Sequence, residues 1–183
     1  MTDIKTVVEE IARTVSEVPY EEEEGLAERI LKAKHVYVAG CGRSGLMVRA
    51  FAMRLMHMGI STYVVGEIVT PGFQAGDLLI IVSGSGTTGS LVTMAKKAKT
   101  IGGQIALVTI YPDSVIAQMA DSVLRINAPT SKGKKIEGVT SVQPMGSLFE
   151  ESVLLVLDYV ILILMDKKNL TGEEMFKRHA NLE

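Results

Sequence analysis

Tryptophan is missing from this chain, and cysteine nearly so, with Cys41 standing alone. A lone cysteine closes no internal disulfide, which fits a reducing, cytoplasmic setting. Basic runs are missing too. Nineteen Lys and Arg are set against 21 Asp and Glu, for a net charge of −2. Nucleic acid is therefore not expected as a partner, because phosphate-backbone binding needs clustered cations. Long apolar runs are also lacking. Val153 to Met165 is almost wholly apolar, but Asp158 interrupts it. It falls short of the roughly 18 residues of a membrane span, so it reads as a buried helix and no membrane partner is expected. The opening MTDIKTVVEE carries early acids and does not read as a signal peptide.

What is present suits a globular chain. Hydrophobic residues make up 47% of the 183 positions and charged ones 22%, so residues 1–183 read as one domain with one core. Thr2 can cap a first helix, whose apolar positions Ile4, Val7, Val8, Ile11 and Val15 recur at helical spacing. Pro19 interrupts it, and the run Glu21 to Glu24 opens a second helix with acids at its positive end. An alternation follows. The strand-like runs HVYVAG, STYVVG, LLIIVSG, QIALVTI and SVLRI are separated by helical stretches near 44–58, 87–101 and 114–120. Continuously apolar strands are covered on both faces, and strand–helix alternation builds a parallel sheet. The fold class is α/β, a three-layer α/β/α sandwich on a five-stranded parallel sheet. The polar, Gly-rich stretch 128–143 reads as a loop. A long apolar helix near 146–168 and a short terminal helix in TGEEMFKRHANLE complete the chain.

Ligands of such sheets bind beyond the carboxyl ends of the strands. The loop after the first strand is GCGRSG, residues 40–45, literally G-x-G-x-x-G, and Glu67 follows the second strand. Two readings are open for it, a dinucleotide-binding turn or a tight strand-to-helix turn that binds nothing. The loop after the third strand, SGSGTTGS at 83–90, offers the hydroxyls of Ser83, Ser85, Thr87 and Thr88 with glycines between them. Hydroxyls, amides and a helix N-terminus suffice to hold a phosphate. A plain helix cap would need one such hydroxyl rather than four. A dinucleotide has no use for this second nest, whereas a phosphorylated sugar uses both loops.

Ser83-Gly-Ser-Gly-Thr-Thr88 resembles the S-x-S-G-x-T phosphate loop of SIS (sugar isomerase) domains, and Gly40-Cys-Gly-Arg-Ser44 resembles their first loop. Four further segments narrow the likeness: FAMRLMHMG at 51–59, VGEIVTP at 65–71, QPMGSLFE at 143–150 and RHANLE at 178–183. Together they resemble the 6-phospho-3-hexuloisomerase family over essentially the whole chain. That resemblance implies a SIS fold and interconversion of D-arabino-3-hexulose 6-phosphate and fructose 6-phosphate, in formaldehyde fixation by the ribulose monophosphate route or in pentose supply. It also implies a homotetramer with sites near subunit boundaries, and no metal or organic cofactor. The substrate-binding residues it points to are Arg43, Ser44, Ser83, Gly84, Ser85, Gly86, Thr87 and Thr88. The rival readings are another SIS aldose–ketose isomerase, such as one acting on arabinose 5-phosphate, and a non-catalytic sugar-phosphate-binding module.

Moving a carbonyl from C3 to C2 needs a base that takes the C2 proton and returns it at C3. Glu150 is the candidate. On the helix it shares a face with Val153, Leu154, Leu157 and Ile161, where desolvation raises a carboxyl's pKa. Glu151 aligns with Asp158 on a wetter stripe. The competing reading of Glu150 is a capping box, Ser147-x-x-Glu150. His179 is the candidate partner for the oxygen protons, by resemblance to relatives with a C-terminal histidine near the sugar. His57 is a weaker one. Arg43 can pair with phosphate or with a nearby carboxylate. Cys41 reads as structural or incidental.

Overall fold

The computed structural model describes residues 3–130, 133 and 136–182. Helix α1 (Ile4–Ser16) is capped by Asp3, whose carboxylate accepts from the Lys5 amide. Thr2, expected as the cap, lies outside the described residues. Helix α2 (Tyr20–Lys32) starts right after Pro19, with Glu21, Glu22 and Glu23 in its first turn. The strands are β1 (Val36–Gly40), β2 (Thr62–Val64), β3 (Leu78–Val82), β4 (Gln104–Thr109) and β5 (Ser122–Arg125). Between and after them run α3 (Gly42–His57), α4 (Gly89–Ile101), α5 (Ser147–Lys168) and α6 (Gly172–Phe176).

The sheet order is β2-β1-β3-β4-β5, and every neighbouring pair is parallel. The expected five-stranded α/β architecture is what the chain forms. The strands alternate cleanly between two apolar layers. Val36, Val38, Leu78, Ile80, Val82 and Val108 face α2, α3 and α5, while Tyr37, Leu79, Ile81 and Leu107 face α4. Being buried on both faces is why the three central strands, β1, β3 and β4, read as apolar runs, while the edge strands β2 and β5 are only partly covered.

One expected helix is absent. Residues 114–120 hold only a 3-10 turn, Ala117–Met119. The backbone is diverted there, because the Ile116 amide donates to Gly86 O of the phosphate-type loop at 3.1 Å. On α5, Val153, Val156, Leu157, Val160 and Leu164 are buried, whereas Leu155, Tyr159 and Leu162 remain exposed. Among the described residues no helix is long and apolar enough to cross a membrane.

The chain leaves β1 toward one edge of the sheet and returns at β3 on the other side of β1. That reversal opens a crevice at the carboxyl ends of β1 and β3. The last residues of the two strands, Gly40 and Val82, are direct partners in the ladder. Both glycine-rich loops therefore leave the sheet side by side.

Candidate active site

The first loop spends its glycines on close packing. A Cβ on Gly45 would stand 2.7 Å from Gly40 O, and one on Gly40 would stand 3.0 Å from the Gly45 backbone. Gly42 sits in the left-handed region at φ 58°. The strand thus turns into α3 within two residues and brings Arg43 and Ser44 to the crevice. In the second loop Gly86 has φ 60°, and a side chain there would overlap Ser114. Ser83 Oγ accepts from the Gly86 amide at 3.2 Å and lies 3.5 Å from Thr88 Oγ1. Ser85 Oγ accepts from the Thr87 amide at 3.3 Å. Thr88 occupies the N-cap of α4 without using its hydroxyl as a cap.

These loops and the start of α5 enclose a cleft of about 440 Å³. Arg43, Ser44, Ser83, Gly84, Ser85, Thr88 and Glu150 all line it. Gly86 and Thr87 are not part of its wall; Gly86 is buried beneath the loop and Thr87 is exposed. The first residues of α3 and α5 and the N-cap of α4 lie in the lining, so three helix N-termini present their positive ends to one space. Such an arrangement is able to hold an anion without lysine.

Arg43 crosses the cleft to α5. Its Nη1 donates to Ser147 Oγ at 2.8 Å, its Nε lies 3.2 Å from Glu150 Oε2, and its Nη2 lies 3.5 Å from Glu151 Oε1. Of the two expected partners for Arg43, phosphate or a carboxylate, the described contacts include the carboxylates. The capping box does not form. Gly146 is the N-cap of α5, and the Ser147 hydroxyl serves Arg43 instead. Glu150 is thereby free of capping duty, with its side chain 19% exposed at the cleft. Glu151 is drier than its alignment with Asp158 suggests. Its Oε2 is buried, and its other oxygen faces Arg43, whereas Asp158 is exposed.

His179 lies elsewhere. Its ring stacks on His57 and on Phe176, with centroids 5.5 Å away in each case. These residues line a second cavity of about 480 Å³ on the outer side of α3 and α5. His57 is buried, and that burial, with Arg54 and His179 beside it, holds its pKa below the usual histidine value. Glu67, the acid of the dinucleotide reading, pairs with Arg49 of α3.

Sequence reasoning missed the lining contributed by Cys41, Pro144 and Met145. Met145 adopts φ 57°, a conformation uncommon for a side-chain-bearing residue, and no local pattern announces it. Among the described residues no cluster of three or more His, Cys, Asp and Glu could hold a metal ion.

The SIS domain family model matches residues 29–155, which contain both loops and Glu150. The chain belongs to the SIS domain family. It is 47% identical to a 3-hexulose-6-phosphate isomerase of Bacillus subtilis over 98% of this chain and 97% of that one. It is 44% identical to the enzyme of that name from Mycobacterium gastri, over 99% and 90% of the two chains. A crystal structure of a Methanococcus jannaschii protein, for which a molecular function of 3-hexulose-6-phosphate isomerase was inferred, superposes with a TM-score of 0.84 at 38% identity. That match covers 98% of both chains.

Proposed function

We propose that this chain interconverts D-arabino-3-hexulose 6-phosphate and fructose 6-phosphate in the cleft between β1, β3 and α5. The observation that carries the reading is the placing of Glu150 in one cleft with the hydroxyls of Ser83, Ser85 and Thr88. Near-full-length relatives named 3-hexulose-6-phosphate isomerase support the choice of sugar. In this mechanism Ser83, Ser85, Thr88 and the backbone of Gly84 hold the phosphate, with Gly86 and Thr87 shaping the loop from behind, while Ser44 reaches a sugar hydroxyl. Glu150 takes the C2 proton as electrons move onto the C3 carbonyl oxygen, giving an enediolate. The same carboxyl returns the proton at C3 as the carbonyl forms at C2. Arg43 and the converging helix N-termini steady the developing negative charge.

The oxygen protons need a second group, and His179 is assigned that work. Since it lines the outer cavity, it would serve the cleft of a neighbouring protomer. Leu46, Met53, Met56, Leu155, Tyr159 and Leu162 form exposed apolar stripes on α3 and α5, which a homotetramer would cover. Residues 1–183 then act as one SIS domain in the cytoplasm. A coupled assay that supplies the 3-hexulose phosphate and follows fructose 6-phosphate tests the reading. Turnover supports it. Turnover of arabinose 5-phosphate alone, or binding of fructose 6-phosphate without turnover, would replace it with one of the rival readings.

A further inference from the structure

Helix α1 precedes the segment 29–155 that matches the SIS family model, yet one of its side chains is bonded to the stretch that leads into a wall of the cleft. Glu10 is buried, with 8% of its surface exposed. Its Oε2 accepts from Ser141 Oγ at 2.6 Å, and its Oε1 accepts from the Val142 amide at 2.8 Å. The Ser141 hydroxyl in turn accepts from the Gln143 amide at 3.0 Å. One carboxylate thus organises three consecutive residues that lie more than 130 positions away in sequence. Burial by itself raises a carboxyl's pKa, but the bonds from the Ser141 hydroxyl and the Val142 amide, with Arg13 nearby, outweigh it and hold Glu10 below the usual range. It is therefore a charged acceptor, the stronger kind.

The anchored segment runs straight into the cleft. Pro144, Met145 and Gly146 line it, and Met145 holds a left-handed φ while 74% of the residue is exposed. Such a turn persists only where its surroundings hold it, and here the side chain contributes little packing of its own. The turn then sets the start of α5. Pro144 O accepts from the Ser147 amide at 3.2 Å, and Gly146 O accepts from the Glu150 amide at 3.0 Å. The connection runs from Glu10 through residues 141–143 and the Met145 turn to Ser147, which holds Arg43, and to Glu150.

We infer that Glu10 is a positioning residue for the Glu150–Arg43 pair, acting through the 141–146 turn. The inference rests on the proposed isomerase reading for what that pair does. Helix α1 also docks through Ile11 and Val15 against the core, so losing the Glu10 bonds leaves the helix in place.

Glu10→Gln in the full chain tests it, with turnover, inhibition by inorganic phosphate and hydrogen exchange measured together. The introduced amide cannot accept with both of its terminal atoms, as the carboxylate does. The turnover number is expected to fall about tenfold, as for a displaced catalytic group. Exchange across 138–147 should accelerate while the sheet amides and phosphate inhibition stay as in wild type. Ser141→Ala should give the same pattern, and the double variant should lose no more than the worse single one, because both cut one linkage. Glu17→Gln, at the C-cap of the same helix, removes the charge from a carboxylate that accepts an exposed bond from Asn127; it is the control and should leave turnover and exchange unchanged. Faster exchange with wild-type turnover would reduce Glu10 to a structural anchor, and unchanged exchange would remove even that role. If the wild-type chain shows no isomerase activity, the proposed function falls. Glu10 is then judged separately by exchange at 138–147 and by fructose 6-phosphate affinity, wild-type values in both overturning its role.

Discussion

Arg43 Nε lies 3.2 Å from Glu150 Oε2, although the two residues belong to different helices far apart in the chain. The pair joins the first glycine loop to the proposed base. Arg43→Met should therefore cut turnover by about 10²-fold, the worth of a preorganised charge-stabilising group. Inhibition by inorganic phosphate should be almost unchanged, since the guanidinium is engaged with Ser147, Glu150 and Glu151. Loss of phosphate inhibition with turnover intact would return Arg43 to the phosphate.

The hydroxyl loop carries the opposite expectation. Ser85→Ala removes a hydroxyl that lines the cleft. It should weaken binding of phosphate and of substrate by about 1–3 kcal/mol, as for a hydrogen bond to a charged group. A Michaelis constant and phosphate inhibition equal to wild type would take Ser85 out of the site.

Gly86 tests the geometry of that loop. Its left-handed φ and the position of Ser114 leave no room for a side chain. Gly86→Ala should lower stability by about 1–3 kcal/mol, read by denaturant unfolding. Adding Ser114→Gly should recover part of the loss by relieving the overlap. No recovery would mean that the backbone conformation alone sets the cost.

Much of this was legible beforehand. The central strands were readable because burial on both faces leaves apolar runs, and the two loops because each follows such a run directly. The paired ends Gly40 and Val82 then make neighbours of loops that lie 43 positions apart when counted from Gly40 to Ser83. What could not be read was decided by partners distant in the chain. Ser147-x-x-Glu150 has the pattern of a capping box, but Arg43, reaching from α3, takes the Ser147 hydroxyl. The 114–120 stretch has helical composition, but Gly86 O captures the Ile116 amide. Glu10 gave no local signal, because its partners begin at Ser141. His179 was expected beside the sugar by resemblance; within one chain its ring stacks on His57, and its place relative to a partner's cleft is a matter of assembly, which no single-chain pattern carries.

Glu23 offers a test away from the site. It is buried on α2, and burial, with Glu22 beside it, pushes its carboxyl pKa up to about 7 from an ordinary 4.5. A folded-state value above the unfolded one contributes stability that is fully present below pH 4.5 and is lost as pH rises through about 7. Glu23→Gln should therefore raise the denaturant midpoint relative to wild type above that range and lose its advantage below pH 4.5. An equal effect at both ends of the range would assign the change to packing.

Glu150 is the group that moves the proton between C2 and C3 in the proposed reaction, and everything else in the cleft is arranged around it. The most direct measurement is the turnover number of Glu150→Gln, made alongside exchange of the substrate C2 proton with heavy water. Glutamine keeps the shape at the start of α5 and removes the base. Turnover should fall by about 10²–10⁴-fold, the usual worth of a general base, and C2 exchange should fall with it. Glu151→Gln, whose contact with Arg43 is the looser one at 3.5 Å, should change both little. A Glu150→Gln protein that turns over and exchanges at the wild-type rate would contradict this role and move the chemistry to Glu151, Glu67 or His179.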